Sequence, residues 1–548
     1  MHELFSAGLA NCKDSKQIWS QVNMLTGRKR RPLTGSHDLE ALNKSFVFEC
    51  NPNKPQHLSM PVSESTAAFE LDHVSTYRAL KSLRHCAKGS DGLDPMMLKL
   101  CAPELTVPST KLYQRCFNLP AIPKQWKSSQ ITPIPKADSE KFRPIASLPT
   151  LSKPLERIML NCIQESLPND PKQFAFTKNR STMDSLAVLY NKIVSSLDKF
   201  GRAYRCCFLD FSSAFNTICR QRLLDCLATH SVDQKTMLLL KDFLSGRTQH
   251  CFLNGKRSSS IPNDFGVLQG SILSPTLFSA YVKGLDVLSA DLFLKYADDF
   301  VIGQRLNHWQ EPDEFQTLLS DFHTTSSDAQ LYLNTEKCVE VIFTLKSSNR
   351  SSFYDNTPPL TLNDAPMNRH GSTTYLGVKL SSDLTWSEHV ETIFRKLVRL
   401  SFYIKSLRIC KLPQYVIERF VHACVIPIIV YCSPVIFPGF LARDFTLLRR
   451  GCRLISRVSC LEYSYITERI VNRHISSCKD FADRVLNDST HPLHHTLTNQ
   501  RSCRATRQSF RHVTTRTAAY KNSIIPYICR LLNNEKTIRA DLLTKLSL

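Results

Sequence analysis

Apolar residues change their spacing several times along the chain, and each change marks out an element. From about residue 65, helical patterns alternate with short apolar runs. Tyr204 to Phe211 (YRCCFLDF) is apolar almost throughout, which predicts a strand buried on both faces. Asp291 to Ile302 (DLFLKYADDFVI) predicts a strand, a tight turn and a second strand, with Ala297-Asp298-Asp299 at the tip. Beyond residue 385 the apolar step lengthens to three and four. Val390, Ile393, Phe394, Leu397, Leu400, Ile404 and Leu407 fall on one face of an amphipathic helix, a stripe that serves a core. Phe420 to Ala442 contains no Asp, Glu, Lys or Arg and has the length of a membrane span. Pro427, Pro434, Pro438 and His422 interrupt it, so the expectation is buried core and no membrane. Residues 1 to about 60 read as a connector, and no internal repeat or long low-complexity tract is present.

Length and charge extend this picture. At 548 residues the chain exceeds one compact core, and about 150 residues per domain suggests three or four units. With 42% hydrophobic and 22% charged residues, most of it should fold. Lys and Arg number 70 against 48 Asp and Glu, a net charge of +22 that suits a polyanion, because each phosphate neutralised releases condensed counterions. A solubilising surface is the blander reading. The run Arg28-Lys29-Arg30-Arg31 is either a nuclear address or a solvated loop. Residues 489–534 contain no acidic residue but gather Arg501, Arg504, Arg507, Arg511, Arg516 and Lys521, with Arg504, Arg507 and Arg511 expected on one helical face. The 20 cysteines are scattered without C-x-x-C spacing and no charged-then-apolar leader follows Met1, so reduced thiols in an intracellular protein are expected.

The candidate chemistry starts at Tyr296-Ala297-Asp298-Asp299. Adjacent carboxylates in an apolar hairpin repel and cost desolvation energy unless a cation or hydrogen bonds offset them. Alone, the tetrapeptide also fits an ordinary acidic turn. Phe208-Leu209-Asp210 puts a further carboxylate at the end of the buried run. Nucleotidyl transfer needs such carboxylates, because they hold two divalent ions about 3.5–4 Å apart over the reacting phosphate.

Three motifs in order carry a family resemblance. Phe208-Leu209-Asp210-Phe211-Ser212-Ser213-Ala214-Phe215, Gly266-Val267-Leu268-Gln269-Gly270-Ser271-Ile272-Leu273-Ser274-Pro275 and Tyr296-Ala297-Asp298-Asp299 together resemble the catalytic motifs of reverse transcriptases from non-LTR (LINE-type) retrotransposons. The likeness extends to Lys88 through Asp94, Trp126 through Lys136, Phe142-Arg143-Pro144-Ile145, Gln173-Phe174-Ala175-Phe176, Leu333 through Lys337, Tyr375-Leu376-Gly377-Val378 and His491-Pro492-Leu493-His494. It spans about residues 10 to 540.

The resemblance implies an α+β right-hand polymerase with an antiparallel palm sheet and a helical thumb. Its expected parts are a connector (1–60), fingers (61–200), palm (201–380), thumb (381–460) and basic C-terminal region (461–548). It implies an RNA-directed DNA polymerase working with two Mg²⁺ ions, for which Mn²⁺ can substitute. Asp210, Asp298 and Asp299 are the implied metal-site carboxylates, and Lys337 the implied proton donor to pyrophosphate. Phe211 is expected along the triphosphate path, and Phe215, five positions after Asp210, beside the sugar. Gln269 and Gly270 are expected near template and nucleotide, where a residue without Cβ admits close approach. Lys136 and Arg143 are expected to grip the triphosphate. A core role for Phe215 and a plain surface role for Lys136 and Arg143 stay open. The implied partners are an RNA template, a DNA primer, their hybrid, deoxynucleoside triphosphates and an RNA-binding protein from the same element. Nucleus and cytoplasm are the expected location.

Leu268 stands where the family usually has Pro, Asn216 where an acidic residue is common, and Ala175 where Gly is usual. None of these removes a metal-holding carboxylate. The start in connector-like sequence implies a chain lacking the N-terminal endonuclease domain, and the cysteine spacing gives no C-terminal zinc knuckle. His491, His494 and His495 with Cys478 or Cys503 form a further, irregularly spaced candidate zinc set. A degenerate or domesticated RNA-binding protein without polymerase activity is the alternative to the enzyme.

Overall fold

A computed structural model of the chain describes residues 17, 19, 22, 38–47, 58–60, 69–85, 88–135, 142–200, 202–287, 289–306, 314–345, 356–501 and 509–547. The basic run at 28–31, Lys136, Cys503, Arg504 and Arg507 lie outside the described residues. In chain order the first strands are β1 (Ser128–Pro135), β2 (Phe142–Ser147), β3 (Ala203–Leu209), β4 (Thr248–Leu253), β5 (Lys256–Arg257) and β6 (Ile261–Pro262). They are followed by β7 (Leu292–Tyr296), β8 (Asp299–Leu306), β9 (Val339–Thr344), β10 (Thr361–Leu362), β11 (Ala365–Pro366), β12 (Asn368–Arg369), β13 (Ser372–Tyr375) and β14 (Val378–Ser381).

Two five-stranded sheets organise the chain. The central one runs β12-β9-β3-β8-β7, with β3 antiparallel to both β8 and β9. The outer one runs β2-β1-β4-β5 with β6 on β4, so it takes strands from before and after β3 in sequence. Helices cover both sheets, and the fold class is the α+β expected.

Every residue of β3 is buried, as its apolar run predicts. Its alternate residues serve two different cores, because successive side chains leave a strand on opposite faces. Tyr204, Cys206 and Phe208 join a core with helices Thr182–Phe200 and Ser387–Ile409. Cys207 and Leu209 join the other, with helices Ser152–Ser166 and Gln234–Leu244. Arg205 is the exception in the run, with a side chain 1% exposed. Its guanidinium is neutralised by Glu340 of β9, itself fully buried, and donates to the Pro358 carbonyl at 2.6 Å. Glu340 also accepts from Arg369 Nε at 3.1 Å and Nη2 at 3.0 Å.

The apolar stripe from Val390 becomes helix Ser387–Ile409, which packs along helix Ala442–Ser459. Gly451 lets them close up, since a Cβ there would lie 2.6 Å from Leu397 Cδ1. The uncharged stretch from Phe420 is broken core. Helices Gln414–Phe420, Ile426–Val430 and Ser433–Ile436 are joined by a π-turn over Val421–Val425 and a left-handed Cys432. Pro427, Pro434 and Pro438 each sit in the first turn of a short helix, where no backbone N–H is missed. Among the described residues no single helix is long and apolar enough to cross a membrane, although one bent pair has the length and composition.

Two expected boundaries do not separate cores. Helices Tyr463–Asn487, Ile524–Asn533 and Glu535–Ser547 share the core of Ser387–Ile409, so no break in packing falls at 460–461. Polar and basic residues dominate the outer faces there and hide the apolar phase. Helix Thr182–Phe200, expected with the fingers, packs on β3 and β7, while β4, expected with the palm, pairs with β1. Arg511 is not helical and follows an Arg501–Phe510 bridge, while Arg504 and Arg507, expected on a helical face with it, lie outside the described residues.

Replacing Glu340 by Leu strands Arg205 and Arg369, and removing one partner of a buried ion pair costs about 3–5 kcal/mol. Glu340→Leu should therefore lower the thermal midpoint sharply, and the pair Arg205→Met with Glu340→Leu should recover much of the loss. Equal midpoints for wild type and Glu340→Leu would show that the pair contributes nothing.

Candidate active site

β3 ends at Leu209, which pairs with Phe300, so Asp210 emerges beside Asp299, the first residue of β8. The β7–β8 hairpin closes with Tyr296 opposite Asp299, leaving Ala297 and Asp298 as a two-residue turn. Ala297 has φ 55°, a left-handed value that hairpin turns need and that glycine usually supplies. Two separate strand ends thus deliver three carboxylates to one edge of the central sheet.

Nothing nearby balances their charge fully. Burial raises the Asp298 carboxyl above its ordinary range and the charge of Asp210 adds to this, while its own backbone N–H, Arg143 and Lys337 oppose. Burial, then Asp298 and Asp210, push Asp299 up to about 6, against the pull of Lys337. Asp299 remains exposed at its surface, so solvent screens part of this effect. Lys337 Nζ lies 3.0 Å from Asp210 Oδ2. Its position follows from the backbone: Asn334 N–H donates to the Asp210 carbonyl at 2.8 Å and Ser212 N–H to Tyr332 at 2.8 Å, which clips the Leu333–Lys337 turn beside the end of β3. The three carboxylates share a field without forming a closed cage, since among the described residues no group of three His, Cys, Asp or Glu is set to hold an ion.

The other expected residues divide. Arg143, exposed on β2, is near enough for its charge to act on Asp298. Phe215 is half-buried and stacks on Phe278 with centroids 4.5 Å apart and planes at 13°. The Phe211 side chain does not line an open path: it is 4% exposed and packs edge-on against Phe300 at 5.0 Å. A strand residue next to Asp210 must point to the opposite face, which here is core. Gln269 anchors the Gly266–Gly270 segment to β2, its carbonyl accepting from Ala146 N–H at 2.8 Å, and its side chain donates to Asn216 at 3.3 Å. Gly270, at φ 137°, has no room for a Cβ, which would lie 2.2 Å from the Ala146 oxygen. Its close neighbour is thus the β2 backbone, where a ligand was expected. The histidines do not converge. His491 is buried 3.6 Å from Asp184, His494 contacts the Val485 carbonyl and His495 is exposed.

Two supporting residues, Glu156 and Arg220, stand in none of the motifs, and a third, Asp91, stands in one without an assigned role. Glu156, buried on helix Ser152–Ser166, accepts from Ser271 Oγ at 2.5 Å and Ile272 N–H at 2.7 Å, holding the segment after Gly270. Buried Arg220 donates to the carbonyls of Gly266 at 2.9 Å and Phe265 at 2.7 Å, fixing its start. Asp91 accepts from Thr150 N–H at 2.6 Å, which ties the Lys88–Asp94 motif to the loop after β2. A charge falling on the apolar phase of a helix was the available signal for Glu156 and Arg220.

Residues 134–380 match the family described as reverse transcriptase (RNA-dependent DNA polymerase). The chain is 30% identical over 372 residues to the RNA-directed DNA polymerase from mobile element jockey of Drosophila melanogaster, covering 64% of this chain and 39% of that protein. It is 28% identical over 395 residues to the jockey polymerase of Drosophila funebris, covering 67% and 42%. The probable RNA-directed DNA polymerase from transposon X-element of Drosophila melanogaster is 27% identical, with 63% and 38% covered. The chain therefore spans about two fifths of the length of these relatives. Among solved structures, apo telomerase from Candida tropicalis superposes with a TM-score of 0.36 at 12% identity, covering 77% of this chain and 69% of that one.

The raised carboxyl of Asp299 gives a signed pH test. A carboxyl raised on folding favours the folded state most at low pH, and that contribution is lost as pH rises through about 6. Asp299→Asn should thus raise the thermal midpoint at pH 7.5. The gain should fade between pH about 6 and about 4, where wild type becomes protonated in both states. A gain independent of pH would show that charge is not its cause.

Proposed function

We propose that this chain, whose residues 134–380 match the family described as reverse transcriptase (RNA-dependent DNA polymerase), is an RNA-directed DNA polymerase that extends a primer 3′-hydroxyl on an RNA template. The primer oxygen attacks the α-phosphate of a deoxynucleoside triphosphate, its proton is lost, and the bond to pyrophosphate breaks. The supporting observation is the under-neutralised cluster of Asp210, Asp298 and Asp299, whose raised carboxyls at 298 and 299 mark a site short of positive charge. A donor set of hard oxygens with this deficit fits divalent cations. Asp210 and Asp298 would hold them, with Asp299 contributing charge. When bound, two Mg²⁺ or Mn²⁺ ions acidify the 3′-hydroxyl and stabilise the leaving pyrophosphate.

The remaining residues bind and orient. Lys337, whose Nζ lies 3.0 Å from Asp210, would be the proton donor to departing pyrophosphate. Arg143, with Lys136 from the same motif, neutralises the triphosphate. Phe215 bounds the space beside the sugar, and Gln269 faces the template. On this reading the outer sheet is the fingers, the central sheet the palm, and the helices from Ser387 onward the thumb. The net charge of +22 supplies the field that holds template, primer and hybrid. Nucleus and cytoplasm are the proposed location, and insertion as part of a mobile element the proposed setting.

Primer extension on an RNA template tests the reading. Asp210→Ala and Asp298→Ala should each abolish Mg²⁺-dependent extension while leaving nucleic-acid binding nearly unchanged. Extension retained by either purified variant would overturn the assignment, and binding without extension by wild type would favour an RNA-binding role. Phe215→Ala should raise ribonucleotide use relative to deoxyribonucleotide use by about 10- to 100-fold in kcat/KM. An unchanged ratio in a variant that still polymerises would leave Phe215 as core.

A further inference from the structure

The catalytic hairpin is not self-supporting. β7 is an edge strand of the central sheet, and the segment Asp170–Ala175 lies along its outer side. Phe174 N–H donates to the Lys295 carbonyl at 2.9 Å and Lys295 N–H to the Lys172 carbonyl at 2.8 Å, with Gln173 bridged in parallel to Lys295. The fully buried Lys295 ammonium adds ion pairs to Asp170 at 2.6 Å and Asp286 at 2.8 Å. Exposed edges are thereby covered, but one contact reaches beyond the edge to the turn itself. Gln173, 2% exposed, accepts at Oε1 from Ala297 N–H at 3.3 Å and from Ala175 N–H at 3.1 Å.

Ala297 is the residue held in the left-handed region, with φ 55°. A non-glycine residue there is strained and persists only where its surroundings over-determine it. The same peptide sets the direction of Asp298, which must approach Asp210 against like-charge repulsion. The Gln173 amide oxygen is the side-chain group that holds this N–H. Its Nε2 is buried and makes no hydrogen bond among the described residues, so the side chain keeps its orientation at the cost of an unsatisfied donor.

Building on the proposed polymerase function, we infer that Gln173 is a positioning residue for catalysis: it locks the Ala297 turn and thereby aims Asp298 at the reacting phosphate. It touches no substrate. Its removal acts on the chemical step and leaves binding of primer, template and nucleotide unchanged. Conservative retention of an acceptor oxygen restores the lock, whereas shape alone does not.

The test compares Gln173→Met, which keeps length but removes the acceptor, with Gln173→Glu, which keeps an oxygen. In single-nucleotide extension, Gln173→Met should lower kcat by roughly 10- to 100-fold, the scale of a small misplacement at a reacting centre. KM for the nucleotide and Kd for primer–template should stay within about twofold, and Gln173→Glu should recover most of kcat. An unchanged kcat in Gln173→Met, a loss confined to KM or Kd, or equal losses in both variants would overturn the inference. A second readout does not depend on activity. Amide hydrogen exchange over Tyr296–Phe300 should quicken in Gln173→Met while β3 stays protected, and identical exchange would also overturn it. If wild type extends no primer, the polymerase reading fails, and the exchange comparison still decides whether Gln173 locks the turn.

Discussion

Like charges brought together at the end of a buried sheet set the central constraint of this molecule. Asp210 arrives at the end of β3, Asp298 and Asp299 on the β7–β8 hairpin; on top of burial, the charge of Asp210 makes both hairpin carboxyls harder to ionise, and Asp298 adds to the effect on Asp299. No single strand could hold them there, because the repulsion acts along the directions in which a strand end or a hairpin tip frays most easily. The fold answers with attachments at every side. The Leu333–Lys337 turn clips β3, the Asp170–Ala175 segment covers β7, and β3 itself is sealed between two cores.

The same logic runs through the loop that carries Gln269. Its glycines at 266 and 270 leave no space for a side chain against Asn216 and Ala146, so the loop lies directly on the backbone of two other elements. Arg220 holds one end and Glu156 the other, each buried. Burying an ionised group is costly unless its hydrogen bonds are filled, and both fill theirs partly with main-chain groups of this loop. The geometry between the outer and central sheets is therefore set by backbone contacts, which leave little freedom for gradual adjustment.

How much of this could be read from the chain depends on the range of the interaction. The β3 run, the β7–β8 hairpin and the helix from Ser387 were legible, because strand and helix periods are written locally in YRCCFLDF, DLFLKYADDFVI and the stripe from Val390. The nearness of Asp210 to Asp298 was legible only through the order of motifs, since spacing alone does not say which strand ends meet. The burial of the Phe211 side chain follows from alternation beside Asp210, whereas its expected place along the triphosphate path came from the resemblance alone. Gly270 was rightly marked as needing close approach, but its neighbour is Ala146 of another sheet. The helices after residue 460 were hidden by the polar, acid-free composition of residues 489–534. Lys136 lies outside the described residues.

The outer sheet draws β1 and β2 from before β3, and β4, β5 and β6 from after it. During synthesis its first two strands must therefore wait, with an open edge, while the ribosome delivers the central strand and the chain turns back to supply β4. The sheet closes only after residue 248 has emerged and β1 finds its parallel partner. The two sheets are thus topologically interleaved, and neither is a module that can be excised or exchanged by one cut in the gene. A recombination crossover between β2 and β4 forces strands of different parentage to share one edge. Inheritance of the two sheets as a block is a consequence of their strand order.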